Sequence, residues 1–265
     1  MVCKVNSLLG EKRLTSDVRE LPERLKMIVH MVSRAFCVVD VGSDHGLVPL
    51  TLIEKKIMDR AIAVEVAEGP FLTVKSAFER SLYRDRLEAR FGDGLTPVFP
   101  GEANTVVIAG MGGKMIWKIL TTAHALEILK MDLPELILQP MEDSGLIRFF
   151  AYLTGYQITD DRWIQDRGLI YNCLKLMPPT TLTGVDFDQA YRGYPELPLP
   201  TKIGFDYGDV IHHHEDLVFA EFLQKEIDKM KGILMQLEQA RTKAAMAQKD
   251  HWYSYVEALL EWQSR

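Results

Sequence analysis

The sequence predicts an α/β protein built on a mostly parallel β-sheet with helices on both faces. Three observations carry this. Strand-length apolar runs alternate along the chain with stretches of helical periodicity. The strand runs are continuously apolar, as strands buried on both faces require. Turns bearing glycine or an acid recur at the carboxyl ends of those runs, where ligands of open parallel sheets bind.

Each element has its own justification. Glu20 to Arg34 sets Leu21, Leu25, Ile28, Val29 and Val32 at helical spacing, with Pro22 tolerable in a first turn. Strands follow at Phe36 to Val41, Ala61 to Val66, Leu87 to Phe91, Thr105 to Ala109 and Glu135 to Leu138. Helices are predicted at Pro49 to Lys56, Pro70 to Ser81, Lys114 to Leu120 and Ile147 to Leu153. Tyr156 to Ile164 and Leu169 to Leu176 read as a closing antiparallel pair around Asp166-Arg167-Gly168, bringing the sheet to seven strands. Met177-Pro178-Pro179 ends this unit, giving domains at 1–178 and 179–265. Residues 180 to about 210, rich in proline and glycine, read as a linker or irregular subdomain. A long helix is then expected over Leu217 to Ala245, where Phe219, Leu223, Ile227, Met230, Leu234 and Leu237 form a coiled-coil-like seam. A second helix, Trp252 to Trp262, is expected to fold back on it as an antiparallel hairpin, so the seam points to a monomer rather than a dimer.

Composition narrows the function classes. The chain has 265 residues, 47% apolar and 26% charged, a globular profile with a full core. No apolar run approaches the roughly 20 residues a bilayer demands, and the first residues hold too short an apolar stretch for a secretory signal. Cys3, Cys37 and Cys173 are odd in number and widely spaced. Cys37 and Cys173 sit in apolar runs and read as buried reduced thiols of a cytosolic protein. A net charge of −6 makes no whole-chain case for nucleic acid. A local basic face on the N-terminal part is nonetheless open, because residues 1–34 carry seven bases against four acids and Arg80, Arg84, Arg86 and Arg90 cluster.

The loops carry the chemistry. The first strand runs through Asp40 into Gly42-Ser43-Asp44-His45-Gly46, where Gly42 and Gly46 permit close backbone approach and positive φ. Glu65, 25 residues after Asp40 at the second strand's end, is placed to accept from ribose hydroxyls, with Val66 beside it. Asp93 and Gly94 end the third strand, where Asp93 suits an adenine amino group; Ala109-Gly110-Met111-Gly112-Gly113 ends the fourth. This order points to an adenosyl cofactor. A dinucleotide fingerprint would carry glycine where Asp44 stands, and a carboxylate there repels a pyrophosphate. S-adenosylmethionine has no phosphate and carries a sulfonium and an ammonium, so Asp44 favours it over NAD.

DVGSDHGLVP, AVEVAEGPFLTVKSA, FGDGL, VVIAGMGGKMI and LILQP, in this order, resemble the bacterial tRNA (adenine-22-N1)-methyltransferase family, TrmK. The resemblance spans roughly Leu14 to Leu176 and, more loosely, the helical C-terminal part. It implies a Rossmann-like class I methyltransferase domain, doubly wound, with a C-terminal α-helical coiled-coil-like domain. It also implies that S-adenosylmethionine is spent, and S-adenosylhomocysteine formed, in methylating N1 of adenine 22 in tRNA. Gly42, Ser43, Asp44, Gly46, Glu65, Val66, Asp93, Gly94 and Ala109 to Gly113 would then hold the cofactor, while Asp44, His45 and Gln139 face the base. The loop Ala109 to Gly113 lacks the side-chain acceptor that enzymes methylating the exocyclic amine use. Ring N1 has an in-plane lone pair and needs only access, alignment and stabilisation of developing positive charge. A paired or stacked adenine must also be extruded. Two positions depart from the family pattern: Met141 stands where asparagine is usual, and Asn172 where glutamate is.

Other candidates have competing readings. Gln139 bonds the adenine or satisfies the end of the fifth strand; His45 touches the base, holds Asp44 or packs at a helix start; Phe71 stacks on a ligand or joins the core; Arg148 meets phosphate or pairs at the surface. His212, His213 and His214 do not form a metal site, because three consecutive residues cannot converge on one ion. Two rival functions remain open on the residues alone. One is a class I methyltransferase for another RNA or a small molecule; the other is a non-catalytic cofactor- or RNA-binding scaffold.

Overall fold

The computed structural model describes residues 21–208, 216–239 and 243–264. Seven strands, β1 (Ala35–Val41), β2 (Met58–Glu65), β3 (Leu87–Phe91), β4 (Thr105–Met111), β5 (Glu135–Pro140), β6 (Gln157–Asp166) and β7 (Leu169–Met177), form one sheet in the order β3-β2-β1-β4-β5-β7-β6. β1 to β5 are parallel, while β7 runs antiparallel to both β5 and β6. The chain builds outward from β1 to β3 and returns to β4, so the switch point opens between β1 and β4. β6 and β7 are joined through Arg167 (φ +50°) and Gly168 (φ +81°), the left-handed pair that a tight hairpin turn uses.

Alternation along β1 divides the core. Cys37, Val39 and Val41 face one layer with α4 (Gly113–Leu120), α5 (Ala123–Asp132) and α6 (Ser144–Thr154). Val38 faces the other, with α1 (Glu23–Met31), α2 (Leu47–Glu54) and α3 (Glu68–Glu79). Asp40, two residues on, shares that second side. Cys37 and Cys173 are buried free thiols, and burial raises them to about 11 and about 12. Cys3 lies outside the described residues.

Several boundaries differ from the sequence expectation. α1 starts only after Pro22, whose carbonyl accepts from Lys26 N–H, and stops at Val32, which is extended. α2 begins before Pro49, which is harmless there because first-turn N–H groups have no helical partner. α5 was not foreseen; the Thr122 side chain caps it by accepting from Ala125 N–H. The proposed linker contains α7 (Phe187–Gly193) and α8 (Leu199–Tyr207), and Phe187 and Tyr194 are buried in the main core. The long helix ends earlier, as α9 (Leu217–Gln239), and its partner begins earlier, as α10 (Lys243–Gln263).

α9 and α10 do form an antiparallel hairpin: Phe219 meets Trp262 at one end, and Glu238 meets Lys249 and Tyr253 at the other. The α9 seam is spent inside the chain, against α10, Trp163 of β6 and Ile203 and Tyr207 of α8. Trp163 stacks on Phe222 at 4.2 Å. Among the described residues no helix is long and apolar enough to cross a membrane. His212 to His214 lie outside them.

Candidate active site

The turn after β1 is built from left-handed residues: Gly42 (φ +74°), Asp44 (φ +56°) and Gly46 (φ +67°). A Cβ on Gly42 would overlap the Met111 methyl group, and one on Gly46 would reach 2.7 Å from the Phe78 ring. Aspartate tolerates positive φ better than most residues, and Asp44 N–H donates to Glu65 Oε1, tying the turn to the end of β2. Ser43 Oγ donates to Asp40 Oδ2 at 2.6 Å. The side chains of Asp44 and His45 project outward, 75% and 57% exposed, with Oδ2 and Nε2 3.6 Å apart.

Two cavities meet at Gly42. The first, about 400 Å³, lies on the α4 side and is bounded by Glu65, Val66, Asp93 and Gly94, over an apolar floor of Leu95 and Ile119. The second, about 330 Å³, lies on the α1–α2 side and is bounded by Asp40, Asp44, His45, Ala109, Gly110 and Arg24. Both parts of the cleft thus carry acids, Glu65 and Asp93 in the first beside Lys118, Asp40 and Asp44 in the second beside the Arg24 guanidinium.

Burial sets the protonation of its inner acids. Asp40 is pushed up to about 7, chiefly by desolvation; the Ser43 hydroxyl opposes this and neighbouring Glu65 adds to it. Glu65 is raised by burial against the opposing Asp44 N–H. A cation entering the cleft would favour the ionised form of both.

The β4 end supplies the other wall. Gly110 adopts φ +78° at a bulge between Ala109 and Met111, and its N–H donates to Gln139 Oε1 at 3.1 Å. Gly112 precedes α4, and Gly113 N–H donates to the Glu142 carbonyl at 2.9 Å, locking this loop to the β5–α6 turn.

The structure brings Gly42, Ser43, Asp44, Glu65, Val66, Asp93, Gly94, Ala109, Gly110 and Met111 around this cleft. Gly46, Gly112 and Gly113 shape the turns behind it. Gln139 is placed differently from the expectation that it faces a base. It is fully buried, accepts from Gly110 N–H and Arg24 Nη1, and donates to the Pro140 carbonyl at 3.0 Å. A buried amide at the end of a central strand is consumed by its neighbours.

Arg148 neither meets phosphate nor pairs at the surface. It is 4% exposed, grips both Asp161 oxygens and donates to Asn172 Oδ1 and the Phe205 and Asp206 carbonyls. The Asn172 amide in turn donates to Asp161, so the departure at 172 sits in this buried clamp. Met141 is half-exposed, its backbone held by Met111. Phe71 packs edge-on against Phe91 at 5.6 Å. Of the basic cluster, Arg86 binds backbone and side chain at Asp59, and Arg90 binds Glu88 and Glu102. Those two therefore form no free basic face. Arg24 was missed because the polar run Glu23-Arg24-Leu25-Lys26 reads as the solvated side of a helix.

Comparison with known proteins agrees with this geometry. Residues 21–174 match the family described as Methyltransferase domain. The tRNA (adenine(22)-N(1))-methyltransferase of Bacillus subtilis (strain 168) is 30% identical over 224 residues, covering 83% of this chain and 87% of the relative. The crystal structure of the B. subtilis m1A22 tRNA methyltransferase TrmK superposes with a TM-score of 0.77 at 28% identity, over 92% of this chain and 99% of that one. The fold is also that of M. capricolum TrmK in complex with S-adenosyl-homocysteine, at TM-score 0.74 and 16% identity, over 92% and 98% of the two chains. By its motifs, its sheet and this relatedness, the chain belongs to the tRNA (adenine(22)-N(1))-methyltransferase family.

Proposed function

We propose that this chain methylates N1 of adenine 22 in tRNA, using S-adenosylmethionine in the cytosol. The observation that carries the reading is the two-part cleft meeting at Gly42, with acids in both parts and pinched where a Cβ would close it. A cationic adenosyl ligand with no phosphate fits those donors and acceptors. S-adenosylmethionine supplies an electrophilic methyl group on its sulfonium.

The chain's own residues bind and orient. Glu65 accepts from ribose hydroxyls, Asp93 from the adenine edge, and Leu95 and Ile119 cover the purine. Gly42 and Gly110 admit the reacting centre between β1 and β4, and neither offers a side-chain acceptor for an exocyclic amine. Asp44 and His45 stand exposed at the rim of the second cavity, where the Asp44 carboxylate offsets positive charge growing on the base. The amide of Gln139 holds the Gly110 loop from behind.

The α9–α10 hairpin helps grip tRNA, while the segment just after residue 178 packs Phe187 and Tyr194 into the core of the sheet domain. The hairpin's apolar seam is covered within the chain, which supports a monomer. The test is transfer from labelled cofactor to unmodified tRNA transcripts carrying A22 and to matched A22→G transcripts. Label on the first and none on the second is expected. A folded chain that binds cofactor and labels neither, or labels both equally, refutes the assignment.

A further inference from the structure

Resting on the tRNA reading above, we propose that a cavity at the joint between the sheet and the helical hairpin receives a second, unstacked base of the same RNA, one that carries an exocyclic amine. The cavity measures about 340 Å³ and lies between the start of α6, α8 and both hairpin helices. α6 follows β5, so its first turn stands at the carboxyl edge of the sheet, where the cofactor cleft also opens. Asp143 lines the cavity, and the carbonyl of its neighbour Glu142 accepts from Gly113 N–H of the glycine loop. An RNA whose adenine enters the cleft at that loop therefore brings further nucleotides within reach of the cavity.

The lining supplies stacking surface and edge contacts together. Phe222 is backed by the Trp163 ring at 4.2 Å, and Trp252 stands edge-on to Tyr255 at 6.0 Å and to His251 at 5.9 Å. Unstacked bases lie on such rings and are read by hydrogen bonds at their edges. Among the described residues the ring nitrogens of Trp252 and His251 bond nothing, which leaves the indole N–H to donate to a base. Among the same residues, the Glu226 carboxylate has one ion pair, with Lys229 at 3.5 Å, and that of Asp143 one, with Lys114 at 3.4 Å. Both can accept from an amino group. Other occupants fit less well. Asp206 is spent on Tyr194, Tyr255 and Lys202. The Lys202 ammonium already faces the Tyr194 and Tyr255 rings at 5.4 and 5.6 Å, so the aromatic place for a cation is taken. Asp143, Asp206 and Glu226 against one lysine repel a phosphate. Uracil offers a carbonyl where cytosine offers an amine, so it would meet these carboxylates with an acceptor.

Fluorescence anisotropy on the full chain, its cleft saturated with S-adenosylhomocysteine, tests this without turnover. The probes are short labelled oligocytidylate and oligouridylate. The wild type should bind oligocytidylate about fivefold or more tightly than oligouridylate. Trp252→Ala should weaken oligocytidylate by roughly 5- to 100-fold, the range of one base–aromatic stack, and raise KM for tRNA carrying A22 with kcat within about twofold. Glu226→Gln gives up only a partly exposed ion pair and adds a donor, so it should tighten oligouridylate and cut the preference to under about twofold. S-adenosylhomocysteine should bind both variants within about twofold of wild type. Equal binding of the two oligomers by the wild type overturns the pocket, as does wild-type preference and KM in both variants, or loss of S-adenosylhomocysteine affinity in both. In each case methylation at A22 can still stand. Wild-type protein that prefers oligocytidylate through Trp252 yet methylates no tRNA sinks the tRNA reading and leaves the base pocket in place.

Discussion

Gly113→Ala probes how the glycine loop is built. Gly113 opens α4, where alanine is ordinarily better than glycine by up to about 1 kcal/mol. Here its Cβ would overlap the Asp143 carbonyl oxygen and lie 2.8 Å from the Glu142 carbonyl oxygen and 2.9 Å from the Asp143 carbonyl carbon. All three are backbone atoms, so the β5–α6 turn itself must move, and the 2.9 Å bond from Gly113 N–H to Glu142 stretches with it. Overpacking of this kind costs about 1–3 kcal/mol, and a lost hydrogen bond adds about 1 kcal/mol. Against the helix preference, a net loss of about 1–3 kcal/mol remains, a melting-point fall of roughly 3–10 °C for a chain this size. Gly112→Ala is the control. Its backbone (φ −64°, ψ 147°) suits alanine, and its Cβ would meet only the mobile end of Glu142, at 3.2 Å. That variant should lose under about 1 kcal/mol. Circular-dichroism melts of both decide it. Equal melting points for the two variants, or Gly113→Ala within about 2 °C of wild type, would refute the backbone-clash argument.

Two further outcomes follow from buried charge. Asp40 has its folded pKa raised from 3.8 to about 7, so its contribution to stability is fully present below 3.8 and is lost as pH rises toward 7. Asp40→Asn should flatten the stability profile across that window in urea titrations at several pH values; an unchanged slope contradicts the burial argument. Arg148→Met removes the guanidinium from the buried Asp161 carboxylate and should cost about 3–5 kcal/mol by urea unfolding. The double variant Arg148→Met with Asp161→Leu should recover part of it, and a double variant no better than the single one contradicts the pairing.

Much of the site was legible because it depends on local order along the chain. Gly42, Glu65 and Gly110 stand at the ends of strand-length apolar runs and Asp93 follows the alternating strand Leu87–Phe91, and a parallel sheet gathers such carboxyl ends on one edge whatever the loops contain. The acid at Asp44 was informative for the same reason: a residue in a turn against a helix start has its electrostatic setting fixed locally. The hairpin of α9 and α10 was visible in its 4- and 3-residue steps, although its ends were not. Helices α7 and α8 were hidden by Pro195, Pro198, Pro200 and Gly193, which read as breakers in a linear scan; here Gly193 and Pro198 cap helical turns, and Pro195 and Pro200 sit inside first turns, where no N–H is needed.

By itself, the sequence determined the α/β class, the family and the acidic, glycine-hinged edge, since periodicity, turn chemistry and residue order are properties of neighbours along the chain. Only the tertiary structure decided what Gln139, Arg148 and Arg24 do. Gln139 looked available and is spent inside the sheet; Arg148 looked superficial and clamps α6 to β6; Arg24 looked solvated and enters the cleft. The physical reason is the same for all three. A long polar side chain takes its partners from elements distant in sequence, Gln139 and Arg24 from positions 115 residues apart, and spacing along the chain carries no record of such meetings.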